Sequence, residues 1–344
     1  MKVLKKFLPS SRPLLAQKFS IVTRAVVLFM IFITKRKSGS CTSRFYLIIF
    51  QPAHSESCYY PQNMTAGGDI KTMKLYTNIE RVENELTARG MLQSEFIDPI
   101  ALSEIDSMHY MGMSAIAASI EAMKLGPSST VLDIGSGFGG TARILSESSK
   151  CATTALELQR EIHEMAENLT KKCRLSNFVK HVSGDILTFD LDKLGGGISS
   201  FDGVVSLLVF LHISDKASLL EKCAKMLKPD GTLFVEDYYC RSPFSEDESK
   251  SLAKDVYAVN LPTQNEYISK LEASGFHNIQ FIDKSSEWTT YVQERVVKFV
   301  SNRSQFEDIH GEQTYLSLLH FYEAVAKLFS AQNLGGVRII ADAR

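Results

Sequence analysis

Apolar positions along the chain follow two rhythms. From residue 130 onward, short blocks dense in Val, Ile, Leu and Phe recur, bounded by Gly, Asp, Ser or Pro: Thr130 to Ile134, Ala152 to Leu156, Val179 to Ser183, Gly203 to Leu207, Thr232 to Val235, Ile279 to Ile282 and Val337 to Ala341. Blocks of this length and composition predict buried strands. Between them, over Thr141 to Ser148, Gln159 to Cys173 and Lys216 to Met226, apolar residues return every three or four positions, which predicts helices with one buried face. Strands alternating with helices imply crossovers, and so a parallel sheet covered on both faces. Upstream, Leu75, Ile79, Val82 and Leu86 share a helical face within 74–89, and a second helical pattern runs from about Tyr110 to Met123. These predict a helical cap over 64–125, ahead of a main domain over 126–344 with insertions for an acceptor around 236–262 and 284–332. Lys228-Pro229-Asp230-Gly231 reads as a turn in which Pro fixes φ and Gly supplies a positive φ. Gly195-Gly196-Gly197 reads as a flexible loop.

The first sixty residues keep neither rhythm. No Asp or Glu occurs from Met1 to Ser55, while Lys2, Lys5, Lys6, Arg12, Lys18, Arg24, Lys35, Arg36, Lys37 and Arg44 are basic. The apolar stretch Ala25 to Ile33, flanked by these charges, suits a signal-type or interfacial segment, so 1–63 is read as a targeting extension outside the fold. The expected location is the cytoplasm, or a mitochondrion or plastid if the extension is a presequence. Lys and Arg number 38 against 39 Asp and Glu, a net charge of -1 that argues against nucleic acid as the partner. No run approaches the ~18 apolar residues a membrane helix needs. The 6 cysteines show no C-x-x-C spacing and no histidines at ligand spacing, so they read as reduced, mostly buried thiols with no metal centre. A small-molecule partner and a monomer or homodimer remain the expectation.

Chemistry enters at the first strand-turn-helix unit. Gly135, Gly137 and Gly140 give G-x-G-x-x-G, the context in which backbone approaches a ligand at a helix N-terminus. Asp133, two residues ahead, would repel a pyrophosphate and favours a cationic ligand. Glu157, after the next strand, is placed to hold a ribose through both hydroxyls. Asp185 is placed to accept from an adenine amino group while Ile186 packs on the ring. A nucleoside with a cationic amino-acid tail fits this set, which is S-adenosylmethionine. From about Asp106 to the C-terminus the chain resembles the class I S-adenosylmethionine-dependent methyltransferases, through the run Val131 to Gly140, through Glu157 and Gly184-Asp185, and through Leu227 to Gly231. The resemblance implies a Rossmann-like α/β fold, a seven-stranded, mostly parallel sheet of order 3-2-1-4-5-7-6 with the last strand antiparallel. It also implies a cofactor lying on Asp133, Gly135, Ser136, Gly137, Gly139, Glu157, Leu158, Asp185, Ile186, Ser206 and Leu207.

Within that superfamily, His109-Tyr110 and His212 are similar to positions of the small-molecule enzymes of phosphoethanolamine, glycine/sarcosine and tocopherol type. The resemblance implies His212 and Tyr110 as catalytic residues. A protonated amine must lose a proton before attacking a methyl, and a histidine with pKa near neutrality suits that task. The chain departs from the phosphobase enzymes where they carry Arg and Asp, having Leu207 and Leu208 instead, which points to an acceptor with an uncharged reacting end. His109, Leu208, Tyr238 and Trp288 are read as acceptor contacts, with Tyr238, Tyr239 and Trp288 forming an onium box. Arg295 and Arg241 are candidates for an acceptor carboxylate. The expected reaction is N- or S-methylation of an amine or thioether of a small carboxylic acid. Ring C-methylation of a lipid-soluble acceptor and a catalytically silent cofactor-binding protein are the alternatives.

Overall fold

A computed structural model of the chain describes residues 28–37, 40–49, 79–194 and 198–344, which fall into two units divided after Glu56. In the first unit β1 (Leu28–Lys37) and β2 (Ser40–Ile49) pair antiparallel, Leu28 opposite Ile49 and Lys37 opposite Ser40. Part of the apolar stretch read as a signal-type segment is therefore strand; its first residues, the helix start expected at 74 and the triglycine 195–197 lie outside the described residues. No helix among the described residues is long and apolar enough to cross a membrane.

The second unit opens with the cap helices α1 (Glu80–Ala88), α2 (Pro99–Asp106) and α3 (Met113–Ala122). Val82 and Leu86 are buried, as their spacing predicts. Helix α2 was not expected, although its start is written in the sequence: Asp98 caps it, accepting from the Ile100 N–H at 2.7 Å, and Pro99 occupies the first turn. Helix α3 begins later than Tyr110 because Met111 and Gly112 are both left-handed, with φ of 59° and 46°.

The sheet follows with strands and helices alternating, except between β5 and β6. Strand β3 (Thr130–Ile134) leads to α4 (Gly140–Ser149), β4 (Ala152–Glu157) to α5 (Arg160–Lys172), then β5 (Val179–Ser183), β6 (Phe201–Leu207), α6 (Lys216–Met226) and β7 (Leu227–Cys240). Helices α7 (Glu246–Ser251) and α8 (Gln264–Ala273) precede β8 (Phe276–Asp283); α9 (Ser285–Ser301), α10 (Arg303–His310) and α11 (Glu312–Ser330) precede β9 (Leu334–Ala343). The order β5-β4-β3-β6-β7-β9-β8, with β9 antiparallel to both neighbours, is the expected 3-2-1-4-5-7-6. Leu132, Val204, Val235 and Ile339 fill its centre with no exposure, which is why their strands read as continuous apolar blocks.

Two local expectations are corrected. In Lys228-Pro229-Asp230-Gly231 the left-handed residue is Asp230, at φ 62°, a conformation Asp tolerates. Gly231 is required for space instead, since a Cβ there would stand 2.9 Å from the Lys228 carbonyl oxygen. The segment forms an excursion within β7, where the pairing register with β6 shifts between Phe201 and Gly203. Cys151, Cys173 and Cys223 are buried free thiols, whereas Cys240 is disulfide-bonded and not reduced. Spacing reveals only local cysteine motifs.

Candidate active site

The turn after β3 is shaped by sterics. Gly135 has φ 72°, and a Cβ on it would lie 2.4 Å from Val209 Cγ2, so no other residue fits. The Gly135 and Ser136 N–H groups donate to the Leu156 carbonyl at 2.9 and 3.0 Å, which ties the loop to the end of β4. Next in chain and space, Gly137 N–H donates to Glu157 Oε2 at 2.9 Å and Gln159 N–H to Oε1 at 2.8 Å. The Glu157 carboxylate is thus fixed in place by backbone, while burial pushes its pKa up.

Asp133 lies 2% exposed at the end of β3 and its Oδ2 has no hydrogen-bond partner. Burial, and secondarily the neighbouring Glu157 charge, raise its pKa to about 7. A carboxyl in this condition lacks a counter-charge, and a cation entering beside it would restore its ionised form. Asp185 accepts from the Leu187 N–H at 2.9 Å.

These groups line one cavity of about 280 Å³, with Asp133, Gly135, Ser136, Gly137, Glu157, Leu158, Asp185, Ile186 and Leu207 all on its wall. Two residues expected there are placed elsewhere. Gly139, φ 80°, faces His181 and Arg143, which its Cβ would meet at 2.7 and 2.9 Å. Ser206 is fully buried and donates to the Ile134 carbonyl at 2.9 Å, joining β6 to β3 behind the cavity.

A second cavity of about 140 Å³ adjoins the first, and Ser107, Met108, His109, Leu208 and His212 belong to both walls. Three segments converge there on left-handed residues, Met111 at φ 59°, Leu208 at 57° and Tyr257 at 57°. Each junction histidine is oriented by a carbonyl: His109 Nδ1 lies 3.0 Å from Tyr110 O and His212 Nδ1 3.0 Å from Tyr257 O. A carbonyl only accepts, so Nδ1 carries the proton in both rings and Nε2 is the acceptor. His109 Nε2 is buried without a partner. Desolvation lowers the pKa of His109 and takes that of His212 to about 4. The near-neutral pKa expected for His212 is therefore replaced by an imidazole that stays uncharged.

Tyr110, Tyr238 and Arg295 line the second cavity, as do Arg81, Tyr291 and Tyr322, which sequence reasoning did not single out. Tyr110 and Tyr238 are hydrogen-bonded through their hydroxyls. The Arg295 guanidinium stands over three rings, 4.3 Å from Tyr322, 5.0 Å from Tyr110 and 5.9 Å from Tyr291. Its Nε and Nη2 reach neither solvent nor a hydrogen-bond partner. Among the described residues, no Asp or Glu lines this cavity. Trp288 does not line it; fully buried, it packs edge-on against Tyr110 at 5.0 Å and supports the wall from behind. The onium box read from the sequence is only partly assembled: the Tyr238 and Trp288 rings meet at 6.2 Å, but Trp288 lines neither cavity, Tyr239 packs on Phe281 at 5.0 Å outside both, and the Tyr110 ring beside Tyr238 faces a guanidinium. Arg241 is exposed and lines neither cavity.

A doubly wound sheet with this strand order, and an acid-rimmed nucleoside pocket at its first turn, define a class I S-adenosylmethionine-dependent methyltransferase. The orphaned Asp133 oxygen and the fixed Glu157 carboxylate fit that cofactor's positive charge and ribose. Residues 132–235 match the family described as Methyltransferase domain. The phosphoethanolamine N-methyltransferase of Plasmodium falciparum is 30% identical over 68% of this chain and 84% of its own length. The glycine/sarcosine/dimethylglycine N-methyltransferase of Actinopolyspora halophila is 26% identical over 52% of this chain and 31% of its own. Among solved structures, phosphoethanolamine N-methyltransferase 2 of Haemonchus contortus shares the fold with a TM-score of 0.61 at 18% identity, over 68% of this chain and 53% of that one. The chain thus spans most of the first relative, about a third of the second and about half of the third. It belongs to the small-molecule branch of the class I S-adenosylmethionine-dependent methyltransferases that contains the phosphoethanolamine N-methyltransferases.

Proposed function

We propose that the protein transfers a methyl group to the nitrogen of a small amine that also carries an anionic group, the anion resting on Arg295. The carrying observation is that guanidinium: enclosed, held in place by three tyrosine rings, with two orphaned nitrogens and, among the described residues, no carboxylate on the wall around it. Burying a charge without a partner is costly, and an arginine fork matches a carboxylate or phosphate. Relatives named for phosphoethanolamine and for glycine and sarcosine support the reading, because those compounds all pair an amine with an anion.

When bound, the cofactor supplies a methyl on positive sulfur; the amine lone pair forms the N–C bond and the C–S pair leaves on sulfur. The chain's residues make the amine able to attack. Arg295 and Arg81 give the acceptor cavity a positive bias that opposes an ammonium ion and favours the free base. His109 accepts an amine N–H through Nε2, and His212, neutral and at the same junction, orients the nitrogen from its own side. Tyr110 and Tyr238, linked through their hydroxyls, hold the anionic end. Leu208 closes the space between the cavities so that nitrogen, methyl and sulfur align in a site without water. A thioether would bring no N–H to His109, and a lipid-soluble ring would leave Arg295 without an anion, so N-methylation of a zwitterion is favoured over both.

The test is methyl transfer from labelled cofactor to phosphoethanolamine, glycine and sarcosine, with ethanolamine and a quinol as acceptors lacking an anion. Turnover confined to one of the first three supports the proposal and chooses between phosphate and carboxylate. Turnover of ethanolamine or the quinol at comparable kcat/KM refutes it.

A further inference from the structure

One carboxylate on the wall of the cofactor cavity has no role in the account above. Asp106 ends α2, is 2% exposed, and lines the same cavity as Asp133 and Glu157. Its Oδ2 forms an ion pair with Arg143, a side chain with no exposure of its own. Its Oδ1 has no partner. Arg143 is otherwise spent on the glycine turn and α5: it donates to the Phe138 carbonyl at 2.8 Å and to Thr170 Oγ1 at 3.2 Å. Gly140, the third glycine of the motif, is what admits the carboxylate, since a Cβ there would stand 2.7 Å from Asp106 Oδ1. This glycine makes room for an acid brought in by the cap.

We propose that Asp106 is a cofactor ligand, its Oδ1 accepting from the ammonium of the cofactor's amino-acid tail, and that this contact seats the cap. The charges run in sequence: guanidinium, carboxylate, ammonium, so each buried charge gains an opposite neighbour. Burial leaves the Asp106 carboxyl with a pKa of about 6 even against Arg143, so one guanidinium does not satisfy it. The consequence reaches the acceptor side. Ser107, Met108 and His109, the next three residues, line both cavities, and Tyr110 lines the second. Filling Oδ1 therefore fixes the segment that carries two acceptor contacts. The inference rests on the cofactor and not on the acceptor proposed above.

Isothermal calorimetry with S-adenosylhomocysteine and 5′-methylthioadenosine, which shares the nucleoside and thioether but has no amino-acid tail, separates this contact from a purely structural role. Asp106→Asn is expected to weaken the first at least tenfold and to leave the second within twofold. Because Asp106→Asn strands the Arg143 charge, the double variant Asp106→Asn/Arg143→Met, which removes both charges, is measured alongside and is expected to show the same selective loss. In the wild type, hydrogen exchange over 107–112 should slow with S-adenosylhomocysteine and not with 5′-methylthioadenosine. An equal loss for both ligands, or an unchanged affinity for S-adenosylhomocysteine, overturns the assignment.

Discussion

Replacing Arg295 with methionine separates what this residue does for the fold from what it does for the acceptor. The substitution keeps an unbranched chain in the same channel and removes the guanidinium. Two buried donors without partners each cost ~1–3 kcal/mol, so their removal relieves ~2–6 kcal/mol. Against that stand three ring contacts within 6 Å, worth ~0.5–2 kcal/mol each, or ~1.5–6 kcal/mol together. The two sums nearly cancel, so the melting temperature of the free protein should move by no more than a few degrees. Binding is another matter. Charge-assisted hydrogen bonds to the acceptor's anion contribute ~1.5–3 kcal/mol, and ~1.4 kcal/mol is tenfold in affinity, so the acceptor KM should rise about ten- to a hundredfold. Arg295→Lys, which keeps the charge and loses the fork, should fall between. Thermal unfolding and steady-state kinetics on the three proteins provide the measurements. A methionine variant that melts far lower while keeping the wild-type KM would show that Arg295 is a structural pillar, and the argument from its orphaned nitrogens would fail.

Other outcomes follow from the cofactor side and the junction. Asp133 has a pKa of about 7 in the free protein, and a cationic ligand needs it ionised, so S-adenosylmethionine should bind up to tenfold more weakly per pH unit below about 7; calorimetry across that range should find Asp133→Asn weaker and flatter. The same group is raised above its ordinary 3.8, so it stabilises the free protein most at low pH and that contribution is lost as pH rises through about 7. Asp133→Asn should accordingly raise the melting temperature most at pH 8, less at pH 5, and little only below the ordinary carboxyl pKa of 3.8. His212 is displaced the other way, from 6.5 to about 4, so its contribution is present above 6.5 and lost as pH falls toward 4. The kcat profile should show no step near 6.5, and His212→Asn should lower kcat without reshaping it; a step that disappears in the variant would mark the imidazole as a titrating base. Gly135→Ala forces a left-handed alanine against Val209, at a cost of ~2 kcal/mol or more. Adding Val209→Ala should recover part of the lost melting temperature and none of the backbone strain.

How much of this was legible in the sequence depends on range. The inner strands announced themselves as continuous apolar blocks because they are buried on both faces, the edge strands β5 and β8 showed shorter apolar blocks with exposed positions among them, and the cofactor pocket was legible because its residues sit at fixed offsets from strand ends. Asp133, Glu157 and Asp185 needed only the strand positions to be read as a set. Helix α2 was missed although Asp98-Pro99 marks its start, since eight residues carry too few turns to show a period. Ser206 and Gly139 are cofactor contacts by the family resemblance, yet the Ser206 hydroxyl faces a neighbouring strand and Gly139 faces His181. The acceptor cavity was hardest. Tyr291 and Arg295 are one helical turn apart on α9 and share a face, a visible signal, but Tyr322 arrives from α11 and Tyr110 from the cap. Nothing local to any of them states that their rings surround one guanidinium.

The same contrast explains why a net charge of -1 says so little about this site. Folding sorts the charges by sign: Asp106, Asp133, Glu157 and Asp185 line one cavity, Arg81 and Arg295 the other, and uncharged imidazoles stand between them. This arrangement draws a cationic donor to the first and would draw the proposed anionic acceptor to the second. Exchanging their places would set positive sulfur beside Arg295 and an anion beside four carboxylates, so electrostatics fixes which partner occupies which side before any shape is matched. The sorting also sets the protonation of the nucleophile. An ammonium at the junction would face the sulfonium on one side and Arg295 on the other, and the free base would face neither penalty. The pH at which the amine becomes reactive on the protein should therefore lie below its pKa in water, and Arg295→Met should move that inflection upward in kcat/KM. An inflection that stays in place in the variant would mean that the amine loses its proton before it enters, and that the positive cavity only holds the anion.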